Sequence, residues 1–461
     1  MAVRDKLVPV IVAFPLFLQN LDASVMATTL PTIAQSLHVG ALQLNLAITS
    51  YLLSLAVFLP LSGWLADRYG AKPVFGAAIA CFSLGSALCG MANSLTTLVL
   101  FRIVQGLGGA MMVPVGRLLL LRIVPPAAMV AAMVWFTVPP AIGRMVGPLF
   151  GGAIVTWTSW RWIFLVNVPF GLLGIALAAI FIHDVHDTKV LPAFDLGGFV
   201  LLALGLTGML GGLETAGRAL MPGWLSWAMA LLGLVAIVAY VIRSRTTASP
   251  IIDLRVLGFT TYHASIIGGT PLRIAIGASP FLLPLMFQLG FGLSPLDSGL
   301  LTIATAVGAL ATRTLMTRAI RRIGFRSLLL AMTTLTSLFY MSYGLFRPTT
   351  PHVAMFCTMM FGGLVNSMGL VSLQTLGFSE IPKPLMSHAT ALSTMAQQVS
   401  ISFGVVIAAS LVSAIAWLHG SNGARLSASD FSPVFVAIGL TTLTSLFYFR
   451  RLSADEGAEM R

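Results

Sequence analysis

The chain is cut into a succession of apolar runs, most of them about 20 residues long, joined by short polar segments. As α-helix, a run of that length spans the hydrocarbon of a bilayer, which is about 30 Å thick. The 461 residues are 57% hydrophobic and 9% charged, whereas a soluble domain is about 25% charged. Such a chain cannot clothe itself for water, so an integral membrane protein is expected.

Runs lie near 8–30, 44–65, 74–91, 98–119, 130–156 and 163–182, then near 196–213 and 225–242. Six more follow near 262–288, 299–316, 327–346, 353–375, 390–417 and 431–449. The predicted fold is therefore an all-α polytopic membrane protein of about 14 spans, with both termini on one side. It divides into a six-helix bundle (1–182), a linker carrying two extra helices (183–261) and a second six-helix bundle (262–461). The basic start, Arg4 and Lys6, leads into an apolar run that contains Asp22 and no cleavage pattern, so it reads as a retained span.

Charge supports the alternation. With the N-terminus inside, inner joints carry Arg68, Lys72, Arg122, Lys189, Arg243, Arg245, Arg255, Arg318, Arg321, Arg322, Arg326, Lys383, Arg450 and Arg451. Outer joints hold only Arg161, Arg218, Arg347 and Arg425. The net charge of +12 would suggest nucleic acid in a soluble chain; here it follows from Lys and Arg collecting on the cytoplasmic side. Trp157, Trp160, Trp162, Trp224, Trp227 and Trp417 fall at the expected outer ends, as interfacial aromatics do.

A turn repeats. Asp67-Arg68-Tyr69-Gly70-Ala71-Lys72 and Arg321-Arg322-Ile323-Gly324-Phe325-Arg326 each follow the second span of a six-helix set. Two halves related in this way are a recurrent plan of secondary transporters.

Several segments carry a family resemblance. Gly63-Trp64-Leu65-Ala66-Asp67-Arg68-Tyr69-Gly70-Ala71-Lys72 resembles the loop between the second and third helices of the major facilitator superfamily. Leu21 to Pro31 is similar to the first-helix signature of its fourteen-span drug/proton antiporter branch. Arg102-Ile103-Val104-Gln105-Gly106-Leu107-Gly108-Gly109 resembles the fourth-helix motif, and Gly143-Arg144-Met145-Val146-Gly147-Pro148-Leu149-Phe150-Gly151-Gly152 most of the fifth-helix antiporter motif. Phe164 to Gly171 fits the sixth helix of the same branch. The resemblance implies a proton-coupled exporter of small amphipathic molecules in a bacterial inner membrane, working as a monomer, with accessory subunits left open. It also implies a cytoplasmic gate at Gly63, Asp67, Arg68 and Gly70.

Physical chemistry bears on the same residues. A charged side chain at a helix centre costs about 2.5–3.5 kcal/mol on insertion scales, so it needs a partner, water or a task. Asp22 is the one carboxylate well inside a span and the first choice for binding a proton; Arg102 is placed to pair with it. Asp67 is expected to accept from exposed N–H groups at a helix start. Gly63 and Gly70 are expected to allow close approach and a tight turn. Gly143, Gly147 and Gly151 recur every four residues beside Pro148 and Gly152, giving a smooth face for sliding between the halves or for tight helix packing.

Arg144 stands where the family pattern has proline, and Arg273 lies inside the seventh run. With Arg102 they outnumber Asp22, which favours an alternative cargo: an organic anion or metal chelate held by intramembrane arginines. Asn20, Gln105, Gln288, Asn366 and Gln397 are further substrate-binding candidates, with interhelical hydrogen bonding as the plainer reading.

Other classes fit less well. The four lysines, Lys6, Lys72, Lys189 and Lys383, never follow a glycine, so no Walker-type phosphate loop is present. No constellation within the spans suggests an enzyme. No cofactor or metal site is expected; His183-Asp184-Val185-His186-Asp187 reads as a solvated connector. The three cysteines sit singly in apolar runs and read as packing residues.

Overall fold

The structure is a computed structural model. It describes residues 3–41, 43–123, 129–182, 194–215, 222–247, 249–382, 385–418 and 426–453. Among these residues every long element is a helix. In chain order they are α1 (Val3–Ser36), α2 (Asn45–Tyr69), α3 (Ala71–Gly90), α4 (Leu95–Ile123), α5 (Met129–Trp157), α6 (Trp162–Leu165), α7 (Asn167–Phe181), α8 (Leu196–Thr215) and α9 (Gly223–Thr246). Then follow α10 (Thr260–His263), α11 (Thr270–Leu285), α12 (Pro295–Tyr343), α13 (His352–Gly377), α14 (Met386–Leu418), α15 (Ala428–Leu443) and α16 (Ser445–Phe449).

Thirteen stretches of described helix are long and apolar enough to cross a membrane, and α5 carries a shorter apolar portion, Val146–Trp157. This is the all-α polytopic plan expected from the runs. The helices overshoot the apolar runs at several ends: α1 continues to Ser36 and α2 to Tyr69. A helix is free to continue past the hydrocarbon into the wet interface, where its polar residues are solvated.

By compactness the chain forms two units. The first comprises 1–209, 232–240 and 248–251; the second comprises 210–231, 241–247 and 252–461. In the first, Val12, Leu16, Tyr51, Leu55, Phe75, Phe82, Met112, Leu119 and Phe136 make one buried cluster from α1 to α5. In the second, Leu272, Phe325, Leu328, Leu329, Leu373 and Phe449 play the same part. The helices α8 and α9 contribute residues to both units and turn a broad apolar surface outward, with Leu231, Leu232 and Val235 all exposed. In a chain that spans a bilayer, that surface suits lipid.

The repeated turn is visible in the backbone. Gly70 ends α2 at φ 93°, and Gly324 breaks α12 into two arms at φ 73°. Both values lie in the region that glycine alone enters without strain. The next residues, Ala71 and Phe325, are buried. Two residues past each glycine a cation reaches a helix C-terminus: Lys72 Nζ donates to Ala179 O at 2.9 Å, and Arg326 Nη2 to Arg450 O at 3.0 Å. Each charge meets the negative end of a helix, which favours a cation.

Candidate functional site

Asp22, halfway along α1, is 3% exposed and fully engaged. Arg102 Nη1 of α4 donates to its Oδ2 at 2.6 Å. Gln105 Nε2 and Asn167 Nδ2 donate to its Oδ1 at 3.0 and 3.1 Å. Arg102 has further partners: Nη1 also donates to Gln105 Oε1 at 2.6 Å, and Nε to Ala47 O at 3.2 Å. Its guanidinium carbon lies 4.3 Å from the centre of the Tyr51 ring, a cation–π contact that helps hold a desolvated cation. Asn167 is oriented by donating to Ser86 Oγ, which donates to Phe164 O, both at 2.9 Å. The carboxylate therefore faces N–H donors only.

Local sequence explains how α4 comes so close. A Cβ on Gly106 would lie 2.6 Å from Ser54 Cβ of α2, and one on Gly108 would collide with the backbone of Phe82 in α3. The glycines of the fourth-helix motif thus let α4 sink between α2 and α3, carrying Arg102 and Gln105 to Asp22. Gln105 is buried within this pair rather than open to a passing molecule.

The glycine face of α5 meets α1. Cβ atoms on Gly143, Gly147 and Gly151 would come within 2.6 Å of Phe17 O, 2.5 Å of Ser24 Cβ and 2.9 Å of Val25 Cγ1. Ser24 Oγ also donates to Arg144 O at 2.9 Å. The face expected between the halves is therefore packed within the first unit, on the segment that bears Asp22. Gly152 is buried and Pro148 half-buried beside it. Arg144 does not reach Asp22, which Arg102 already holds; its side chain is exposed.

At the signature turn, Asp67 and Arg68 are exposed in the last turn of α2. The residue at the start of α3 is Gly70, with no side-chain cap. Asp67 thus lies within α2, which ends at Tyr69. Gly63 has open space where its Cβ would be, so no close approach within reach requires that glycine.

The remaining candidates are dispersed. Arg273 is 1% exposed in α11; its Nη1 donates to Ser265 O and Ile266 O at 2.8 and 3.3 Å, while Nε and Nη2 have no partner. Asn20 donates back to Leu16 O at 2.8 Å. Gln288 donates to Ser298 Oγ at 3.4 Å, Asn366 to Tyr340 Oη at 3.3 Å, and Gln397 accepts from Gln374 at 3.1 Å. These are interhelical or local bonds.

Sequence reasoning left Asn167, Ser86 and Tyr51 out of the site, although Asn167 stands in the sixth-helix signature. It also left out Arg117, an exposed cation of α4 near the Phe136 ring. Among the described residues no group of His, Cys, Asp or Glu is arranged to hold a metal ion; His183 to Asp187 lie outside them.

Comparison with known proteins places this geometry. Residues 12–405 match the family model of the Major Facilitator Superfamily. The "Putative multidrug resistance protein MdtD" of Yersinia enterocolitica is 35% identical over 447 residues, covering 97% of this chain and 95% of the relative. Its namesake in Salmonella paratyphi A is 37% identical over 453 residues, covering 98% and 95%. Among solved structures, a D-xylose-proton symporter superposes with a TM-score of 0.67 at 16% identity, covering 97% of this chain and 98% of that one. An auto-inhibited peptide transporter of the POT family gives 0.68 at 13% identity, covering 96% and 97%. At such identities the structures speak for the fold alone.

Proposed function

The chain belongs to the major facilitator superfamily, and from that premise we propose that this membrane transporter is a proton-coupled exporter of small amphipathic molecules. The observation that carries the reading is Asp22, a buried carboxylate held by three N–H donors, one of them the Arg102 guanidinium. In the ionised state the pair is internally neutral. Taking up a proton at the carboxylate deprives Arg102 of its counter-charge. Removing one partner of a buried pair costs about 3–5 kcal/mol, enough to bias two conformations strongly. A proton at Asp22 therefore favours whatever arrangement gives Arg102 another partner. That is the link between proton binding and alternating access.

Two features support transmission of the change. The α5 glycine face grips α1 at Phe17 to Val25, on either side of Asp22, so a shift of α5 moves the carboxylate. The Gly70 turn, with Asp67 and Arg68 exposed beside it, supplies the cytoplasmic gate. The likeness to relatives named for multidrug resistance supports a small amphipathic cargo. We place the protein in a bacterial inner membrane as a monomer, both termini cytoplasmic. Each inward proton then adds about 2.3 kcal/mol per 100 mV of membrane potential.

The test is proton movement in proteoliposomes under an imposed pH gradient, with ethidium as the probe. Ethidium-evoked proton flux that disappears in Asp22→Asn supports the reading. Flux of equal size in Asp22→Asn contradicts it.

A further inference from the structure

Arg273 is buried in the second unit, and what it lacks has a definite shape. Its Nη1 is anchored on the carbonyls of Ser265 and Ile266, which fixes the plane of the guanidinium. The unpartnered atoms are Nε and Nη2. These two N–H groups point the same way along one edge of the fork, the edge that takes a carboxylate with two parallel hydrogen bonds.

The same unit shows that edge at work elsewhere. Arg255 Nε donates to Asp253 Oδ2 at 2.9 Å while its Nη2 donates to the same oxygen at 2.6 Å, and Nε reaches Oδ1 at 3.0 Å. Arg273 has no such neighbour in its own span: the sequence from Thr260 to Gly290 contains no Asp or Glu. Nor is α11 an ordinary helix. π-helical stretches, Ala264–Gly268 and Met286–Gly290, lie before and after it. Such stretches concentrate at functional sites, because their wider turns free backbone groups and allow the helix to shift. The first of them supplies both carbonyls that hold Arg273.

We propose that the Nε–Nη2 edge of Arg273 receives a carboxylate of the transported molecule. The inference rests on the exporter reading and names molecules bearing a carboxylate as one class of its amphipathic cargo. At 1% exposure the edge is closed in this conformation. Access requires α11 to part from its neighbours, among them Leu373 of α13, which packs against Gly269 beside the guanidinium.

The experiment is the thermal midpoint of the purified full-length protein in detergent, with benzoate and with benzamide. The two probes share a ring and differ in the charge and acceptor pair that the edge requires. Benzoate is expected to raise the midpoint and benzamide to leave it unchanged. In Arg273→Gln the benzoate shift is lost, and in Arg273→Lys, which keeps the charge without the fork, its apparent affinity falls about ten-fold. Equal shifts with both probes, no shift with either, or a benzoate shift retained in Arg273→Gln would overturn the proposal. Should Arg273→Gln fail to fold, the contrast between the probes on the unmodified protein still decides. No proton gradient is present, so failure here leaves coupling through Asp22 standing, and loss of coupling leaves a positive benzoate result intact.

Discussion

Arg102 and Arg273 are each 1% exposed inside a membrane helix, one in either unit, yet they live in opposite surroundings. Arg102 is met by a carboxylate, an amide oxygen, a backbone carbonyl and an aromatic face. Arg273 is met by two carbonyls and left with two free N–H groups. The first unit carries its own counter-charge at Asp22. The second holds a charge in waiting. Two halves with the same turn geometry at Gly70 and Gly324 have thus been given different electrostatic tasks.

The contrast is sharpest when each arginine is removed. Arg102→Met leaves Asp22 as an uncompensated buried charge and should destabilise the protein by about 3–5 kcal/mol. Arg273→Met removes a charge with no counter-ion and should leave the thermal midpoint unchanged or raise it. Comparing the two midpoints checks this, and a fall of equal size in both would erase the distinction. The double substitution Asp22→Asn with Arg102→Gln should recover much of the loss, since both charges go together.

A second comparison concerns packing. Gly147→Leu places a bulky side chain against Ser24 of α1, where even a Cβ would lie 2.5 Å from Ser24 Cβ. Overpacking of this kind costs about 1–3 kcal/mol; Gly63→Leu, with open space around it, should cost far less. Denaturation of the two variants side by side would measure the difference.

The turns should behave alike where the charges do not. Gly70→Ala and Gly324→Ala each force a side chain to positive φ, at about 1–3 kcal/mol apiece. Similar losses of stability in the two variants would uphold the equivalence of the turns, and a large disparity would break it. Lys72→Met and Arg326→Met each remove a cation from a helix C-terminus, worth about 0.3–1 kcal/mol. Paired midpoints would show whether the two caps are as alike as their geometry.

The smallest expected effect lies between α9 and α10. Arg255 holds the Asp253 carboxyl below its ordinary range through side-chain hydrogen bonds, with burial opposing. A lowered folded value means the contribution to stability is complete above the ordinary carboxylate range and fades as pH falls through the lowered one. Limited proteolysis should find this segment protected at neutral pH and loosened only in acid, with Asp253→Asn removing the acid dependence.

Much of the architecture was legible because hydrophobic runs and a repeated glycine turn are local signals. The pairing of Asp22 with Arg102 could be anticipated because both are charges in apolar runs, Asp22 the lone carboxylate of its run and Arg102 sharing its run with Arg117. What escaped was the geometry that sequence spacing does not encode. Asn167 is 145 positions from Asp22, and nothing along the chain announces that α7 brings its amide to the carboxylate. The α5 glycines revealed a close approach but not its partner, which is α1 within the same unit.

The most direct test of the central claim is to measure two processes in one preparation of Asp22→Asn proteoliposomes: ethidium accumulation driven by a pH gradient, and ethidium exchange across the membrane with no gradient. Coupling through Asp22 predicts that driven accumulation is abolished while exchange persists, because the variant retains the moving parts and loses only the proton. Driven accumulation at the unmodified level would contradict the account, and loss of both processes would mark Asp22 as a structural residue.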